Sequence, residues 1–142
     1  MRLVLDTNIL ISALLKDSTV RRILLNPSFI FYLPEYSIEE VERHMDAIVR
    51  RSGLSEEDVR LLVRLLLTNI QVLPAEQLVE KCAEASRLLG GVDPGDTPFL
   101  ALALATVNDG IWSEDTHLRR QRKVKVWRTR DLVSFAGRTR TP

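Results

Sequence analysis

Short apolar runs alternate with longer amphipathic ones along this chain. The short runs are RLVLD (residues 2–6), FIFYL (29–33), IQVL (70–73), GIWS (110–113) and VKVW (124–127). Their length and their content of β-branched and aromatic residues are typical of β-strands. Because helical segments separate most of these strands, the pattern predicts right-handed βαβ crossovers and a parallel sheet that is covered by helices on both faces.

The longer runs have apolar residues at helical intervals. They predict helices at residues 7–16, 19–26, 37–53, 55–69, 75–90, 97–107 and 130–137. Gly53 is expected to end the third of these helices, and Ser55 is expected to open the fourth. The alternation of elements therefore predicts an α/β fold.

The length of the chain, 142 residues, is that of one domain with a substantial core. We expect a single domain over residues 1–142, with a flexible tail at 139–142. Cys82 is the only cysteine, which excludes an intramolecular disulfide and a cysteine-based zinc cluster. No apolar run approaches the ~20 residues that span a bilayer, and no signal peptide is evident, so we expect a cytoplasmic protein without a membrane partner.

Two aspartates directly follow predicted strands. Asp6 ends the first strand, in VLDTN, and Asp115 follows the fourth, in IWSED. In open parallel α/β sheets, ligands bind in the crevice outside the carboxyl ends of the strands. Both carboxylates are therefore expected at that crevice.

Asp96 stands at the start of the helix TPFLALALA, and Asp93 lies in the turn-rich stretch before it. Aspartate is a preferred N-cap that stabilises a helix by about 1 kcal/mol, so capping alone accounts for either residue. Thr97 is an equally suitable cap, because Pro98 would then occupy the first helical position. If Thr97 is the cap, the helix needs neither Asp93 nor Asp96 for capping.

Glu40 lies early in the helix that follows the second strand, among Glu35, Glu39 and Glu42. An acid in a first turn stabilises the helix through its dipole, and this explanation applies to all of these glutamates. Helical geometry places Glu40 between the apolar stripe and the polar face, whereas Glu39 and Glu42 are expected to be more exposed. Glu40 is therefore the candidate for a functional role.

Several carboxylates at one sheet edge would repel one another unless a cation neutralised them. Mg²⁺ suits such a site, since it binds through a few carboxylates while it keeps water and substrate phosphate as further ligands. His44 and His117 are the only histidines, and their spacing is not that of a zinc motif. The sequence therefore predicts a site for a hard divalent cation. His117 is interpreted as a surface residue, with a role near the substrate phosphate as the alternative.

Four segments of the chain together resemble the PIN-domain ribonucleases, which include the toxins of VapBC-type toxin–antitoxin pairs. The segments are LVLDTNILISALL (3–15), LPEYSIEEVERH (33–44), DPGDTPFLALALA (93–105) and IWSEDTHLRRQ (111–121). They occur in the order and approximate spacing of that family and cover nearly the whole chain. The resemblance implies a three-layer α/β/α domain with a five-stranded parallel sheet in the order 3-2-1-4-5, in which strands one and four are neighbours.

The resemblance also implies a catalytic site. Asp6, Glu40, Asp96 and Asp115 match the four acids of the family, in that order. The implied reaction is Mg²⁺- or Mn²⁺-dependent hydrolysis of RNA phosphodiester bonds. One or two ions would be held by Asp6, Asp96 and Asp115, and Glu40 would complete the site or orient the attacking water.

Supporting residues and partners are implied in the same way. Thr7, Asn8 and Ser113 match polar positions that flank the acids, and Asp93 matches an accessory acid. Because the family includes toxins, an antitoxin protein is an expected partner, as is a second copy of the chain in a homodimer or a larger homo-oligomer. The chain differs from the compact toxins in a longer segment between Glu40 and Asp96, which contains a helical hairpin.

Two rival functions use the same residues. The first is a PIN-like module that binds RNA or protein without cutting, and the intact set of acids argues against it. The second is an aspartyl-phosphate phosphatase, which shares the strand-then-aspartate start. It would need a second aspartate two residues after Asp6, where this chain has Asn8.

Basic residues crowd into the stretch RRQRKVKVWRTR, at 119–130. Arg119, Arg120, Arg122 and Lys123 are candidates for contacts with RNA phosphates, which position a strand without reading its sequence. The alternative is a solvated face beside an edge strand, where charges deter unwanted strand pairing. The sequence leaves both interpretations open.

The stretch VRLLVRLLL, at 59–67, is unusually rich in leucine. Its apolar residues are what a helix packed on a sheet needs, and the core interpretation is the simpler one. The alternative is a surface that a second subunit or an antitoxin covers.

Overall fold

The computed structural model describes residues 1–16, 18–90 and 94–139. Five strands form one sheet in the order β3-β2-β1-β4-β5, and each adjacent pair is parallel. The strands are β1 (Arg2–Leu5), β2 (Ile30–Pro34), β3 (Ile70–Leu73), β4 (Ile111–Trp112) and β5 (Val126–Trp127). The predicted parallel sheet and its strand order are confirmed.

Helices connect these strands and cover the sheet. They are α1 (Thr7–Leu14), α2 (Ser18–Leu24), α3 (Glu35–Arg43), α4 (Met45–Ser52), α5 (Glu56–Leu67), α6 (Val79–Leu88), α7 (Thr97–Ala105) and α8 (Thr129–Thr139). Short 3₁₀ turns lie at Ala75–Gln77, Pro94–Asp96 and Leu118–Arg120. Among the described residues, none of the helices is long and apolar enough to cross a bilayer.

The sheet has a hydrophobic core on each face, which gives the predicted three layers. Leu3 and Leu5 of β1 belong to the core that includes α1, α2, α4 and α5. Val4 belongs to the opposite core, with α6 and α7. This division follows from the alternation of side chains along a strand. Because both faces are covered, the central strand β1 is apolar on both sides from Leu3 to Leu5.

The segment 37–53 is two helices and not the one continuous helix that its periodicity predicts. His44 has φ −101° and ψ 9°, which ends α3 and starts α4. Val41 of α3 and Met45 and Ile48 of α4 are all buried, at intervals that a single helix would also give. Periodicity therefore cannot detect the break. Gly53 ends α4 in the left-handed conformation, as predicted.

Three other boundaries differ from the predicted ones. The predicted helix 75–90 begins as a 3₁₀ turn and becomes α-helical only at Val79. Thr97 is the first residue of α7 and not its cap, and Asp96 occupies the N-cap position. Helix α8 extends to Thr139, where the flexible tail was expected to begin, while residues 140–142 and Asp93 lie outside the described residues.

The leucine-rich stretch 59–67 forms most of α5. Val59 and Leu66 are fully buried, so the core interpretation holds for that side of the helix. Leu61 and Leu65 are 51% and 53% exposed, and they lie one turn apart on the opposite side. The stretch thus serves the core and also presents two leucines to solvent.

Gly110 fixes the approach of β4 to β5. It has φ +132°, a conformation that glycine adopts far more readily than other residues. A Cβ added at this position would lie 2.4 Å from the carbonyl oxygen of Lys125 and 2.9 Å from Nε1 of Trp127. Since the first of these atoms belongs to the backbone, the clash could be relieved only by moving the strands apart.

We predict that Gly110→Ala lowers the free energy of unfolding by at least about 2 kcal/mol, through the clash and the strained φ together. Gly53→Ala is the matched control, because Gly53 also has a positive φ (+74°) but only one neighbour near its Cβ position, Nζ of Lys16 at 3.8 Å. Gly53→Ala should cost about 1 kcal/mol. Urea unfolding measures the stability of both variants. If the two variants lost the same free energy of unfolding, the predicted clash with β5 would be contradicted.

Candidate metal centre

The pairing of β1 with β4 brings Asp6 and Asp115 to the same edge of the sheet. Leu5 is the register partner of Trp112, so the residues that follow the two strands leave the sheet side by side. The backbone N–H of Asp6 donates to the carbonyl of Trp112 at 3.4 Å. The predicted meeting of strand-end acids at this crevice is therefore observed.

The hydroxyl of Ser113 connects these two acids. It donates a short hydrogen bond to Oδ2 of Asp6 and accepts one from the backbone N–H of Asp115 at 2.9 Å. Ser113 is fully buried, so it holds both partners without competition from water. Oδ1 of Asp6 accepts the N–H of Ile9 at 3.0 Å and so caps α1. Asp6 is therefore an N-cap and a site residue at once.

Burial raises the pKa of Asp6. The residue is 4% exposed, and the loss of hydration raises the pKa of its carboxyl from 3.8 to about 6. This value is the balance of several effects: after burial, the hydrogen bonds from Ser113 and from the backbone at Ile9 lower the pKa, and the negative charge of Asp115 raises it. The fold thus places a carboxylate where its charged form is disfavoured.

Asp96, Asp115 and His117 form a compact group of metal-ligand atoms. One ligand atom from each residue lies within 4.8 Å of the other two. Asp96 is buried at the N-cap position of α7, yet its carboxylate makes no capping hydrogen bond to that helix. In the described part of the chain this group does not include Asp6, and Asp115 is the residue that is close to both Asp6 and Asp96.

His117 is a candidate metal ligand, a role that the sequence alone does not assign to it. Its side chain is 41% exposed, in keeping with a residue near the surface, and it belongs to this group of ligand atoms. Its backbone N–H donates to Oδ1 of Asp115 at 2.8 Å, and its Nδ1 lies 3.7 Å from the same oxygen. The tight turn after Asp115 makes this contact. The signal in the sequence was a histidine two residues after a strand-end acid.

Glu40 joins the site through Thr7. The hydroxyl of Thr7 donates to Oε1 of Glu40 at 2.5 Å and lies 2.8 Å from the hydroxyl of Ser37. Because Thr7 directly follows Asp6, this bond fixes Glu40 beside the end of β1. Glu40 is half-buried, whereas Glu39 and Glu42 are exposed, as helical geometry predicts.

A crevice of about 250 Å³ opens next to Asp6 and Asp115. Asn8 and Ser12 of α1 line it, as does Glu114. Glu114 is a second residue that sequence reasoning missed, and its carboxylate accepts the N–H of Thr129 at 2.8 Å. We call this space the acidic crevice.

The predicted phosphate-binding residues lie on the segment between β4 and β5. Arg119, Arg120, Arg122 and Lys123 are all exposed. Lys123 forms a short ion pair with Glu84 of α6. A lysine held in this way has less freedom to follow a substrate than the arginines beside it.

A model of the PIN domain matches residues 4–135 of the chain. This chain belongs to the PIN-domain family. Members of the family are generally metal-dependent nucleases, and they typically bind divalent metal ions. A search of curated proteins gave no match.

The donor atoms of this PIN domain fit a divalent cation. Asp96 and Asp115 offer carboxylate oxygens and His117 offers an imidazole nitrogen within one small volume. Asp6 adds a third carboxylate near Asp115, and the repulsion between these two acids is what a cation would relieve. The buried hydroxyl of Ser113 orients its neighbours, as supporting residues do around metal sites.

The raised pKa of Asp6 predicts how the stability of the metal-free PIN domain depends on pH. Because the folded state binds the proton more tightly than the unfolded state, this stabilisation is complete below pH 3.8 and is lost as the pH rises through about 6. The loss is worth about 3 kcal/mol. Asp6→Asn has no charge to bury, so in EDTA it should be more stable than the wild type at pH 7.5, and this advantage should shrink towards pH 4.

Urea unfolding across this pH range measures the difference between the two proteins. Asp58→Asn is the matched control, because Asp58 is an exposed aspartate in the first turn of α5. It should follow the pH profile of the wild type. Added Mn²⁺ should stabilise the wild type more than Asp6→Asn. An Asp6→Asn protein that is less stable than the wild type at pH 7.5 in EDTA would overturn this account.

Proposed function

We propose that this PIN domain is a ribonuclease that hydrolyses RNA phosphodiester bonds with the help of a divalent cation. The observation that carries the proposal is the meeting of Asp6, Asp96 and Asp115 at one edge of the sheet. These acids come from the end of β1, the start of α7 and the turn after β4. The cap of α1 uses the carboxylate of Asp6 alone, Asp96 makes no capping hydrogen bond, and the burial of Asp6 disfavours its charged form.

Asp6, Asp96 and Asp115 would hold the cation, with His117 as a further ligand from the same turn. When bound, such an ion supplies an activated water and neutralises charge on the scissile phosphate. Ser113 keeps the carboxylate of Asp6 and the backbone of Asp115 in fixed positions, so the site is organised before any ligand arrives.

Glu40 has the position of a residue that orients water. Its carboxylate is held by Thr7, next to Asp6, and the residue remains partly exposed. A carboxylate oxygen that is fixed on one side accepts a proton or a water hydrogen on the other. No side-chain nucleophile is needed for this reaction.

The ligand atoms favour Mn²⁺ over Mg²⁺. Mg²⁺ is a hard cation that prefers oxygen ligands and octahedral geometry. The imidazole nitrogen of His117 is a better ligand for a transition metal, whereas Asp96 and Asp115 suit either ion. We therefore expect higher affinity for Mn²⁺, with Mg²⁺ able to support activity.

Contacts with the RNA backbone would come from the arginines after β4. Arg119, Arg120 and Arg122 are exposed and follow Asp115 within a few residues. Cations on the segment that follows Asp115 would attract a phosphate backbone without reading its sequence. Lys123 would contribute once it leaves Glu84.

We predict that the purified protein cleaves single-stranded RNA of mixed sequence in Mn²⁺ and in Mg²⁺, and that EDTA abolishes cleavage. Asp6→Asn and Asp115→Asn should each lower the rate at least about 100-fold, because each removes a ligand of the ion. Asp58→Asn should cleave at the wild-type rate. Calorimetry with Mn²⁺ measures ion binding separately from cleavage.

The rival function, a PIN module that binds without cutting, gives a different result. It would bind RNA but cleave it no faster than Asp6→Asn does. The toxin role is tested with the same proteins in cells, where induced expression of the wild type should arrest growth and Asp6→Asn should not. Rescue by co-expression of a neighbouring gene product would identify an antitoxin.

Self-association would involve the exposed leucines of α5. Leu61 and Leu65 lie one turn apart, and a second copy of the chain would bury both. Light scattering should show a dimer or larger oligomer for the wild type and a smaller mass for Leu61→Glu/Leu65→Glu. Val79→Glu is the control, because Val79 is an exposed valine of α6. An unchanged mass for the double variant would exclude this face.

A further inference from the structure

Helix α1 separates the acidic crevice from a second cavity. This cavity, of about 200 Å³, lies between α1 and α4 and is called here the α1–α4 groove. Asn8 lines both the groove and the acidic crevice. The two spaces therefore adjoin at Asn8, in the first turn of α1, whose N-cap is Asp6.

The floor of the α1–α4 groove is apolar. Ile11 and Leu15 lie one turn apart at the side of α1, and Ala47 and Ile48 face them from α4. Ile48 is buried, while the other three are partly exposed to the groove. The face of a nucleobase could pack on such a floor, but the apolar side chains offer no hydrogen bonds that would select one base over another.

The rim of the groove is cationic. Arg51 lies on α4 and His44 directly precedes this helix, and both are exposed. Nζ of Lys16 lies 3.8 Å from the Cβ position of Gly53, so a second positive charge lies at the C-terminal end of α4, outside the groove lining. Within residues 1–16, 18–90 and 94–139, the side chain of Arg51 makes neither a hydrogen bond nor an ion pair, whereas Arg60 of α5 is held by Glu42.

We propose that the α1–α4 groove binds the nucleotide next to the scissile phosphate of single-stranded RNA. The base would lie on Ile11, Leu15 and Ala47, and the next phosphate would meet Arg51. The proposal rests on the proposed function, which places the scissile phosphate in the acidic crevice. It adds the position of the substrate strand and the requirement that the bound nucleotide be unpaired.

The length and charge of the groove support this occupant. From Asn8 to Leu15 the chain advances about 10 Å along the helix axis, which leaves room for one unpaired nucleotide and the phosphate that follows it. At Asn8 the path adjoins the acidic crevice, which suits a bound cation, whereas Arg51, in the last turn of α4, suits a phosphate. A base inside a duplex is stacked and paired, so only an unpaired base can reach the apolar floor.

The test is the binding of a short fluorescent single-stranded RNA of mixed sequence, measured by anisotropy in EDTA, where hydrolysis is blocked. Arg51→Gln should raise Kd about fivefold and reduce the slope of log K against log salt by about 0.7, as expected for one lost phosphate contact. Arg50→Gln is the matched control, because Arg50 is exposed on the same helix but does not line the groove. It should change Kd by less than about twofold.

A second variant tests the floor without a change of charge. Ala47→Phe should fill the groove and weaken the binding of single-stranded RNA, but it should leave the salt slope and the binding of duplex RNA unchanged. Circular dichroism and urea unfolding establish that this variant is folded. Equal effects of Arg50→Gln and Arg51→Gln, or wild-type binding by a folded Ala47→Phe, would overturn the proposal.

The two proposals can fail separately. If Arg51 and Ala47 are required for RNA binding but Mn²⁺ supports no cleavage, the groove stands and the ribonuclease proposal falls. If RNA is cleaved at the wild-type rate while neither variant alters RNA binding, the ribonuclease proposal stands and the groove falls.

Discussion

The parallel pairing of β1 with β4 is the contact on which the candidate site depends. It brings together Asp6 and Ser113, which are 107 residues apart in the sequence, and their hydrogen bond is buried. Gly110 allows β4 to lie close enough to β5 for the register to hold, since a side chain there would strike the backbone of Lys125. The meeting of Asp6 with Ser113 is therefore a property of strand order and close backbone packing.

At Asp6, the position that suits a metal ligand lowers the stability of the metal-free protein. A buried carboxylate beside Asp115 costs free energy whenever it is charged, and its raised pKa expresses that cost. The hydrophobic cores on both faces of the sheet must offset it. A bound cation would reverse the balance, because it stabilises the charged form and relieves the repulsion. At mildly acidic pH, the binding of the ion would therefore be coupled to the release of a proton from Asp6.

The sequence predicts those features that follow from periodicity and from the ends of strands. The sheet order came from a family resemblance, while the positions of Asp6 and Asp115 came from the strands themselves. The break at His44 was missed because buried residues on both sides keep the same helical spacing. The sequence does not place His117 among the metal ligands or Glu114 beside the crevice, because both lie in a turn, and a turn has no periodicity that would show where its side chains point.

Helix α1 gives the site a further constraint, because one rigid element borders both cavities. Asn8 and Ser12 face the acidic crevice, whereas Ile11 and Leu15, on a neighbouring side of the helix, face the α1–α4 groove. Asp6 caps the same helix through its own carboxylate. The distance between the acidic crevice and the α1–α4 groove would then be set by helical geometry, which varies little with thermal motion. A nuclease built in this way would select substrates by the shape and strandedness of the chain beside the cut, and the aliphatic floor would leave the choice of base open.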